Sequence, residues 1–206
     1  MKAKARDVSS SALIVVVLVL VVLMSGCALT VDKIKVDYTP QSSVQKIDAT
    51  DSVAVEVGVA DIRSRKDRVS SKKNGYGMEM AAIITENDVT ELVANAIVAE
   101  LRNRGFEVGK GSVSVKAELQ KFYNDFKIGF FSADAEAEVV INVQIQKPDG
   151  SIRFAKVVSG EGKEPNIQLA SGTNAKAALE RALRDAISKL FNDQEFRDAL
   201  IKAGKG

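Results

Sequence analysis

The sequence contains no histidine, no tryptophan and a single cysteine, Cys27. A lone cysteine cannot form an intramolecular disulfide bond, so the apolar core has to stabilise the fold. Serine hydrolase triads and zinc sites built from histidine and cysteine are excluded in their common forms. Phosphate-binding glycine loops and dinucleotide-binding fingerprints are also absent. The sequence therefore predicts no catalytic residue, no metal ligand and no cofactor.

The sequence also lacks a large excess of positive or negative side chains. The chain has 29 basic and 27 acidic side chains. Lys2, Lys4, Arg6 and Asp7 are the charged residues among the first 26, so the remainder carries 26 side chains of each sign. A neutral chain lacks the global positive field that attracts nucleic acids, and we expect no nucleic-acid partner. With 206 residues, of which 46% are hydrophobic, the chain has the composition of one globular domain.

One long hydrophobic run lies near the N-terminus. Residues 12–24 are thirteen consecutive apolar residues that follow the basic residues and precede Ser25, Gly26 and Cys27. A transmembrane helix needs roughly 20 apolar residues to cross the hydrocarbon layer. The run is too short for that, but it has the length of a signal-peptide core. We therefore predict that residues 1–26 are a signal peptide that is removed.

The end of this run resembles the lipobox of bacterial lipoproteins, with Met24 in the place of the usual leucine. The residues that carry the resemblance are Leu23, Met24, Ser25, Gly26 and Cys27. It implies cleavage before Cys27, a diacylglyceryl thioether on its sulfur, and an acyl chain such as palmitate on its amine. Two or three acyl chains hold a protein on a membrane far more firmly than one. The alternative is a free or buried cysteine after a short signal anchor.

Ala28 follows the cysteine, where an aspartate would retain a lipoprotein in the inner membrane under the enterobacterial sorting rule. The expected location is therefore the outer membrane, on its periplasmic face, with the inner membrane as the alternative.

The rest of the chain divides into a lipidated tether, residues 27–50, and a single domain, residues 51–206. Val53, Val55, Val57 and Val59 alternate with other residues as in a strand with one buried face. A helix follows from about Asp88, then three strands, a second helix and a short final helix. We predict an α+β fold with the order β-α-β-β-β-α, in which an antiparallel sheet of about four strands carries two main helices on one face.

Ordered motifs extend along this domain. The first strand ends in an Asp-x-Arg motif at Asp61 and Arg63, residues 84–87 lead into the long helix, and residues 102–106 close it. Together with the lipobox, these features resemble the YajG family of uncharacterised bacterial lipoproteins. The resemblance implies an outer-membrane lipoprotein and carries no established enzymatic role.

Three acidic residues alternate along one predicted strand, namely Asp134, Glu136 and Glu138. Successive members lie on the same face about 6.6 Å apart by strand rise. They could form a Ca²⁺ site or an acid–base pair. We favour a solvated outer face that discourages edge pairing.

Two segments are candidates for partner contact. One is a basic loop that could meet lipid phosphates, peptidoglycan or an acidic protein, or could simply be solvated, and it contains Arg63, Arg65, Lys66 and Arg68. Asp61 and Arg63 are expected to fix its conformation. The other is a predicted hairpin tip at Phe130 and Phe131. Either these rings fold back over a helix edge, or they are exposed as a partner or membrane contact.

Three functions fit these observations. The favoured one is a non-enzymatic lipoprotein, held in the membrane by acyl chains on Cys27, that binds an envelope protein or peptidoglycan. The alternatives are a carboxylate-dependent cell-wall hydrolase and a purely structural envelope lipoprotein.

Overall fold

A computed structural model of the protein describes residues 29–42, 44, 46–47, 53–111 and 113–204. The predicted lipobox, acylation and sorting positions lie outside the described residues, namely Leu23, Met24, Ser25, Gly26, Cys27 and Ala28. In the described part of the chain, no helix is long and apolar enough to span a membrane.

Eight strands and three helices make up the described chain. The strands are β1 (Asp32–Ile34), β2 (Ala54–Asp61), β3 (Ser70–Lys73), β4 (Glu79–Thr85), β5 (Glu107–Val108), β6 (Val113–Ile128), β7 (Ala133–Gln146) and β8 (Ile152–Ile167). The helices are α1 (Val89–Asn103), α2 (Gly172–Asn192) and α3 (Gln194–Gly204).

The strands form two sheets. The larger, curled sheet has the order β5-β2-β6-β7-β8, in which β2 is parallel to both β5 and β6, whereas β6, β7 and β8 are antiparallel. The smaller sheet has the order β1-β4-β3, with β1 parallel and β3 antiparallel to β4. Helix α1 packs against β2 and β5, and α2 packs across β7 and β8.

The predicted fold, an antiparallel sheet of about four strands with two main helices, is wrong. Because α1 lies between β2 and β6, the chain returns to the same end of the sheet, and the two neighbouring strands are parallel. The second sheet comes from short strands without clear alternation. In β3, for example, Ser70, Ser71 and Lys72 are all buried.

The individual helices and the long strands agree better with the sequence pattern. Asp88 caps α1, because its Oδ1 accepts hydrogen bonds from the backbone N–H groups of Thr90 (2.6 Å) and Glu91 (3.2 Å). Gly105, with φ of +95°, ends the helix in the left-handed conformation. A register shift between Leu119 and Lys121 marks a β-bulge in β6.

Two glycines of β8 bring α2 very close to the sheet. A Cβ atom on Gly160 would lie 2.2 Å from the backbone N of Ala186, and one on Gly162 would lie 2.0 Å from the carbonyl O of Ala178. Ala182, between these two helical residues, contacts both glycine positions. Small side chains on both elements therefore set the distance between helix and sheet.

Side chains of α2 also cover the outer edge of β8. Asp185 accepts a hydrogen bond from the backbone N–H of Glu161 (2.9 Å), and Lys189 donates one to the carbonyl of Ser159 (3.1 Å). Arg181 donates to the carbonyl of Lys163. Ser159, Glu161 and Lys163, which are alternate residues of this edge strand, therefore each have a backbone group that is hydrogen-bonded to a side chain of α2.

A buried ion pair fastens the N-terminal segment to the domain. Glu100 and Arg104, one turn apart at the end of α1, form a salt bridge in which the Glu100 side chain is fully buried. Glu100 Oε1 also accepts hydrogen bonds from the Tyr38 hydroxyl (2.7 Å) and the backbone N–H of Gln41 (2.8 Å). Burial, followed by the hydrogen bond to Glu100, raises the pKa of Tyr38 far above its ordinary value. Residues 36–41 are thus held on the domain surface.

Candidate functional site

The turn between β6 and β7 presents two aromatic rings to solvent. The backbone N–H of Gly129 donates to the carbonyl of Ser132 (2.9 Å), which closes the turn around Phe130 and Phe131. These side chains are 94% and 89% exposed, respectively. Their rings contact each other edge to face, with centroids 4.8 Å apart. Neither ring folds back over a helix, so the exposed alternative is the one the structure adopts.

The turn between β3 and β4 exposes a further aromatic ring. Asn74 Oδ1 accepts hydrogen bonds from the backbone N–H groups of Tyr76 and Met78, both at 3.0 Å. Gly77, with φ of +80°, supplies the left-handed residue that this tight turn requires. The Tyr76 side chain is 91% exposed and Met78 is also exposed. The turn is therefore ordered by its own hydrogen bonds while its apolar side chains stay outside.

These turns border a cavity of about 610 Å³. The loop between β8 and α2 forms its third side, and the exposed Leu169 lies on that loop. We call this surface the apolar end, and its exposed apolar side chains are Tyr76, Met78, Met80, Phe130, Phe131 and Leu169.

The charged side chains that line the cavity are paired. Lys72 Nζ lies 2.7 Å from Asp32 Oδ1, and Lys73 Nζ lies 2.5 Å from Asp125 Oδ1. Asp32, Lys72 and Lys73 line the cavity, whereas Asp125 does not. The cavity therefore combines apolar walls with neutralised charges, which suits contact with an apolar or amphipathic surface.

The N-terminal segment enters the domain at this same end. Asp32, the first residue of β1, lines the cavity, and its Oδ2 accepts a hydrogen bond from the backbone N–H of Gly172 at the start of α2 (2.8 Å). Strand β1 runs parallel to β4, with Asp32 opposite Ile83. Residues 29–31, just before Asp32, therefore lie on the side of the β3–β4 turn. Leu29 and Val31 are exposed there.

The Asp-x-Arg motif forms a compact ion pair at the end of β2. Asp61 Oδ1 accepts hydrogen bonds from the backbone N–H and the Nε of Arg63, both at 3.0 Å, and Asp61 Oδ2 lies 2.8 Å from Arg63 Nη2. The Arg63 side chain is buried. Its hydrogen bonds hold the pKa of Asp61 below the ordinary range. This geometry fixes the start of the basic loop, as the sequence indicates.

The other three cations of the basic loop also have partners within the molecule. Arg65 donates to the Tyr123 hydroxyl (3.1 Å), and its guanidinium lies 5.5 Å from the centroid of that ring. Lys66 donates to the carbonyl of Asp61 (2.6 Å), and Arg68 Nε lies 2.7 Å from Asp67 Oδ2. The loop is therefore less available to an anionic partner than its composition suggests.

The acidic residues of β7 are neutralised by lysines of the neighbouring strands. Lys163 of β8 lies 2.6 Å from Asp134 and 2.9 Å from Glu136, and Lys121 of β6 lies 2.5 Å from Glu138. Hydrogen bonds from these lysines lower the pKa of Asp134 and of Glu138. A general acid needs a raised pKa. The arrangement thus gives no support to a hydrolase.

Sequence reasoning found the aromatic tip but not all of its surroundings. Leu169 does not belong to an alternating or helical pattern of apolar residues, so the sequence does not predict that it is exposed. Asp32 looked like part of a polar tether, although it joins the N-terminal segment to both the cavity and α2.

Solved structures show that the fold occurs elsewhere. A protein from Xanthomonas campestris superposes with a TM-score of 0.53 at 12% identity, over 85% of this chain and 97% of that chain. A second, uncharacterized protein gives a TM-score of 0.50 at 9% identity, over 82% and 98%. A lipoprotein from Neisseria meningitidis is more distant, with a TM-score of 0.41 at 10% identity, over 68% and 99%. A search of curated protein sequences finds no match.

Family comparison gives a more direct result. Residues 40–201 match the family described as uncharacterized lipoprotein, which covers most of the domain and confirms the resemblance drawn from the sequence. The chain therefore belongs to a family of uncharacterised bacterial lipoproteins.

Proposed function

We propose that the protein is a non-enzymatic binding module on the periplasmic face of the outer membrane. Removal of residues 1–26 would leave Cys27 as the first residue, carrying a diacylglyceryl group and an amide-linked palmitate. Membership of a lipoprotein family supports a membrane-anchored bacterial protein. Ala28 in place of an aspartate favours the outer membrane.

The exposed aromatic pair carries the proposal of binding. Scattered apolar residues are normal on protein surfaces, but two adjacent phenylalanines that are almost fully exposed leave a large apolar area in water. The fold does not need them there, because the β6–β7 turn is closed by the hydrogen bond between Gly129 and Ser132. A partner that covers the apolar end would remove this area from water.

The charge arrangement supports a role in binding rather than catalysis. Among the described residues, Asp134, Glu136 and Glu138 are paired with lysines on an open strand face. The cavity at the apolar end is lined by Asp32, Lys72 and Lys73, and each of these has an opposite charge beside it. The site that the structure offers is therefore suited to contact and lacks a free acid–base pair.

Photo-crosslinking in intact cells tests this function. A photoreactive phenylalanine analogue at position 131 should form defined adducts with an envelope component. The matched control is the same analogue at position 152, because Ile152 is also exposed, 54%, but lies at the other end of the sheet. Equal, background crosslinking at both positions would contradict a binding role for the apolar end.

Metabolic labelling tests the anchor separately. Labelled palmitate should be incorporated into the wild-type protein and not into the Cys27→Ala variant. Fractionation of inner and outer membranes should then place the labelled protein in the outer membrane. Absence of label on the wild type, or a soluble wild type, would refute the anchor.

A further inference from the structure

We infer that the apolar end rests on the same bilayer that holds the acyl chains, so that the component it binds is the phospholipid surface itself. This inference rests on the proposed function, because it takes Cys27 to be acylated.

The length of the connecting chain carries the argument. Five peptide units separate Cys27 from Asp32. An extended chain spans at most about 3.3–3.6 Å per residue, so the Cα atoms of these two residues are at most about 18 Å apart. Asp32 is fixed to the domain by strand pairing with Ile83, by the hydrogen bond from Gly172 and by the ion pair with Lys72. The end of the domain that contains Asp32 is therefore held close to the lipid headgroups.

The position of Asp32 determines which surface faces the lipid. Asp32 lines the same cavity as Phe130, Phe131 and Leu169. The exposed Leu29 and Val31 continue from Asp32 toward Cys27 and add apolar side chains on this side. The short chain thus brings the apolar end, rather than another face of the domain, within reach of the bilayer.

The opposite end of the sheet has a different character. Strand β7 has 14 residues, which at about 3.4 Å per residue corresponds to roughly 45 Å of strand between the β6–β7 turn and the β7–β8 turn. The far turn contains Lys147 and Asp149. Asp149 accepts a hydrogen bond from the backbone N–H of Ser151 and is exposed. Contact of the apolar end with lipid would leave this polar turn pointing into the aqueous space.

Lipid contact also matches the chemistry of the apolar end. Exposed aromatic side chains at a membrane interface transfer apolar area out of water while their polar surroundings stay hydrated. The carboxylates of Asp32 and Asp125 are paired with Lys72 and Lys73, so these two acids present little free negative charge to anionic headgroups. Burial of one phenylalanine side chain corresponds to about a ten- to hundredfold gain in partition.

The absence of tryptophan makes a direct test possible. The lipidated variants Phe130→Trp and Ile152→Trp each contain one tryptophan, at an exposed site at opposite ends of the sheet. Each is purified from membranes and reconstituted into phosphatidylethanolamine–phosphatidylglycerol vesicles, with and without brominated phosphatidylcholine. We expect the brominated lipid to quench more than half of the F130W fluorescence and almost none of the I152W fluorescence. Leu169→Trp, on the neighbouring loop, should behave like F130W.

Equal quenching of the F130W and I152W variants in vesicles would overturn the inference. Mass spectrometry of the same samples separates this failure from a failure of the proposed function. An acylated Cys27 with unquenched F130W would leave the lipoprotein function in place and refute lipid contact. An unmodified Cys27 would refute both.

Discussion

Substitution of the two close-contact glycines of β8 should destabilise the domain strongly. A methyl group on Gly162 would lie 2.0 Å from the carbonyl O of Ala178 and 2.4 Å from the backbone N of Ala182. Ordinary van der Waals contact begins at 3.4 Å, so the methyl group is 1.4 Å too close to one backbone atom and 1.0 Å too close to another. Backbone atoms on a long helix cannot move aside as a flexible side chain can.

The magnitude follows from how far α2 must move. A retreat of the helix by about 1 Å opens a gap along its contact with β8, and a gap of 0.5–1 Å already forfeits a quarter to a half of each contact's dispersion energy. Overpacking in a core typically costs about 1–3 kcal/mol and occasionally more. We expect Gly162→Ala to cost about 2–4 kcal/mol, and Gly160→Ala to cost a similar amount.

Gly58 provides a matched control. It also lies inside a strand, β2, but a Cβ atom there would meet nothing within 4 Å. Alanine should be neutral or should stabilise by up to about 1 kcal/mol, since glycine weakens strand interiors. Urea unfolding of the mature protein, followed by far-ultraviolet circular dichroism, measures the difference. A Gly162→Ala midpoint equal to or above that of Gly58→Ala would refute the close contact between α2 and β8.

Further predictions concern the buried charges and the tip. Glu100→Gln should cost about 3–5 kcal/mol in urea unfolding, because it leaves Arg104 buried without a counter-charge; a loss below 1 kcal/mol would contradict the buried pair. Arg63→Met should cost about 1–3 kcal/mol at neutral pH. Because Arg63 lowers the pKa of Asp61, the pair stabilises the fold fully above the ordinary aspartate pKa of about 3.9, and this contribution is lost as the pH falls through the lowered pKa. The stability difference between wild type and Arg63→Met should therefore shrink between pH 6 and pH 3, and a constant difference would count against the pair. Replacement of both tip phenylalanines by alanine should change the free energy of unfolding by less than about 0.5 kcal/mol, since the rings are exposed.

The sequence predicts elements whose pattern is local. Helix α1 has an apolar face, an aspartate at its start and a glycine after its end, and all three signals agree. In strand β7, buried residues alternate with partly exposed residues over the whole length of the strand. Such elements are recognisable because each residue's environment follows from its neighbours along the chain.

Strand β3 shows why the second sheet was not predicted. Ser70 and Lys72 are polar but buried, because distant residues satisfy them: the Asn124 side chain donates to Ser70 Oγ (2.9 Å), and Asp32 pairs with Lys72. Burial of this kind depends on the tertiary structure, which a hydrophobic pattern does not contain. The parallel pairing of β2 with β6 is likewise a property of the connection between them.

Only part of the candidate site could be predicted from the sequence. Adjacent phenylalanines at a turn are visible in a sequence, whereas the cavity beside them assembles three loops and the start of β1 from distant positions. The basic loop shows the same limit. Arg63, Lys66 and Arg68 have partners close in sequence, whereas the partner of Arg65 is Tyr123, which lies far along the chain.

The covered edge of β8 limits how other chains can attach to this protein. An open edge strand accepts any extended peptide, including the same strand of a second copy, and growth of the sheet by this route leads to aggregation. The carboxylate and the two cations of α2 occupy the backbone groups that such a peptide would need. Copies of the protein on a membrane surface collide often. The α2 side chains prevent the β8 strands of two such copies from pairing at this position. Recognition there has to rely on side-chain shape and charge rather than on shared backbone hydrogen bonds.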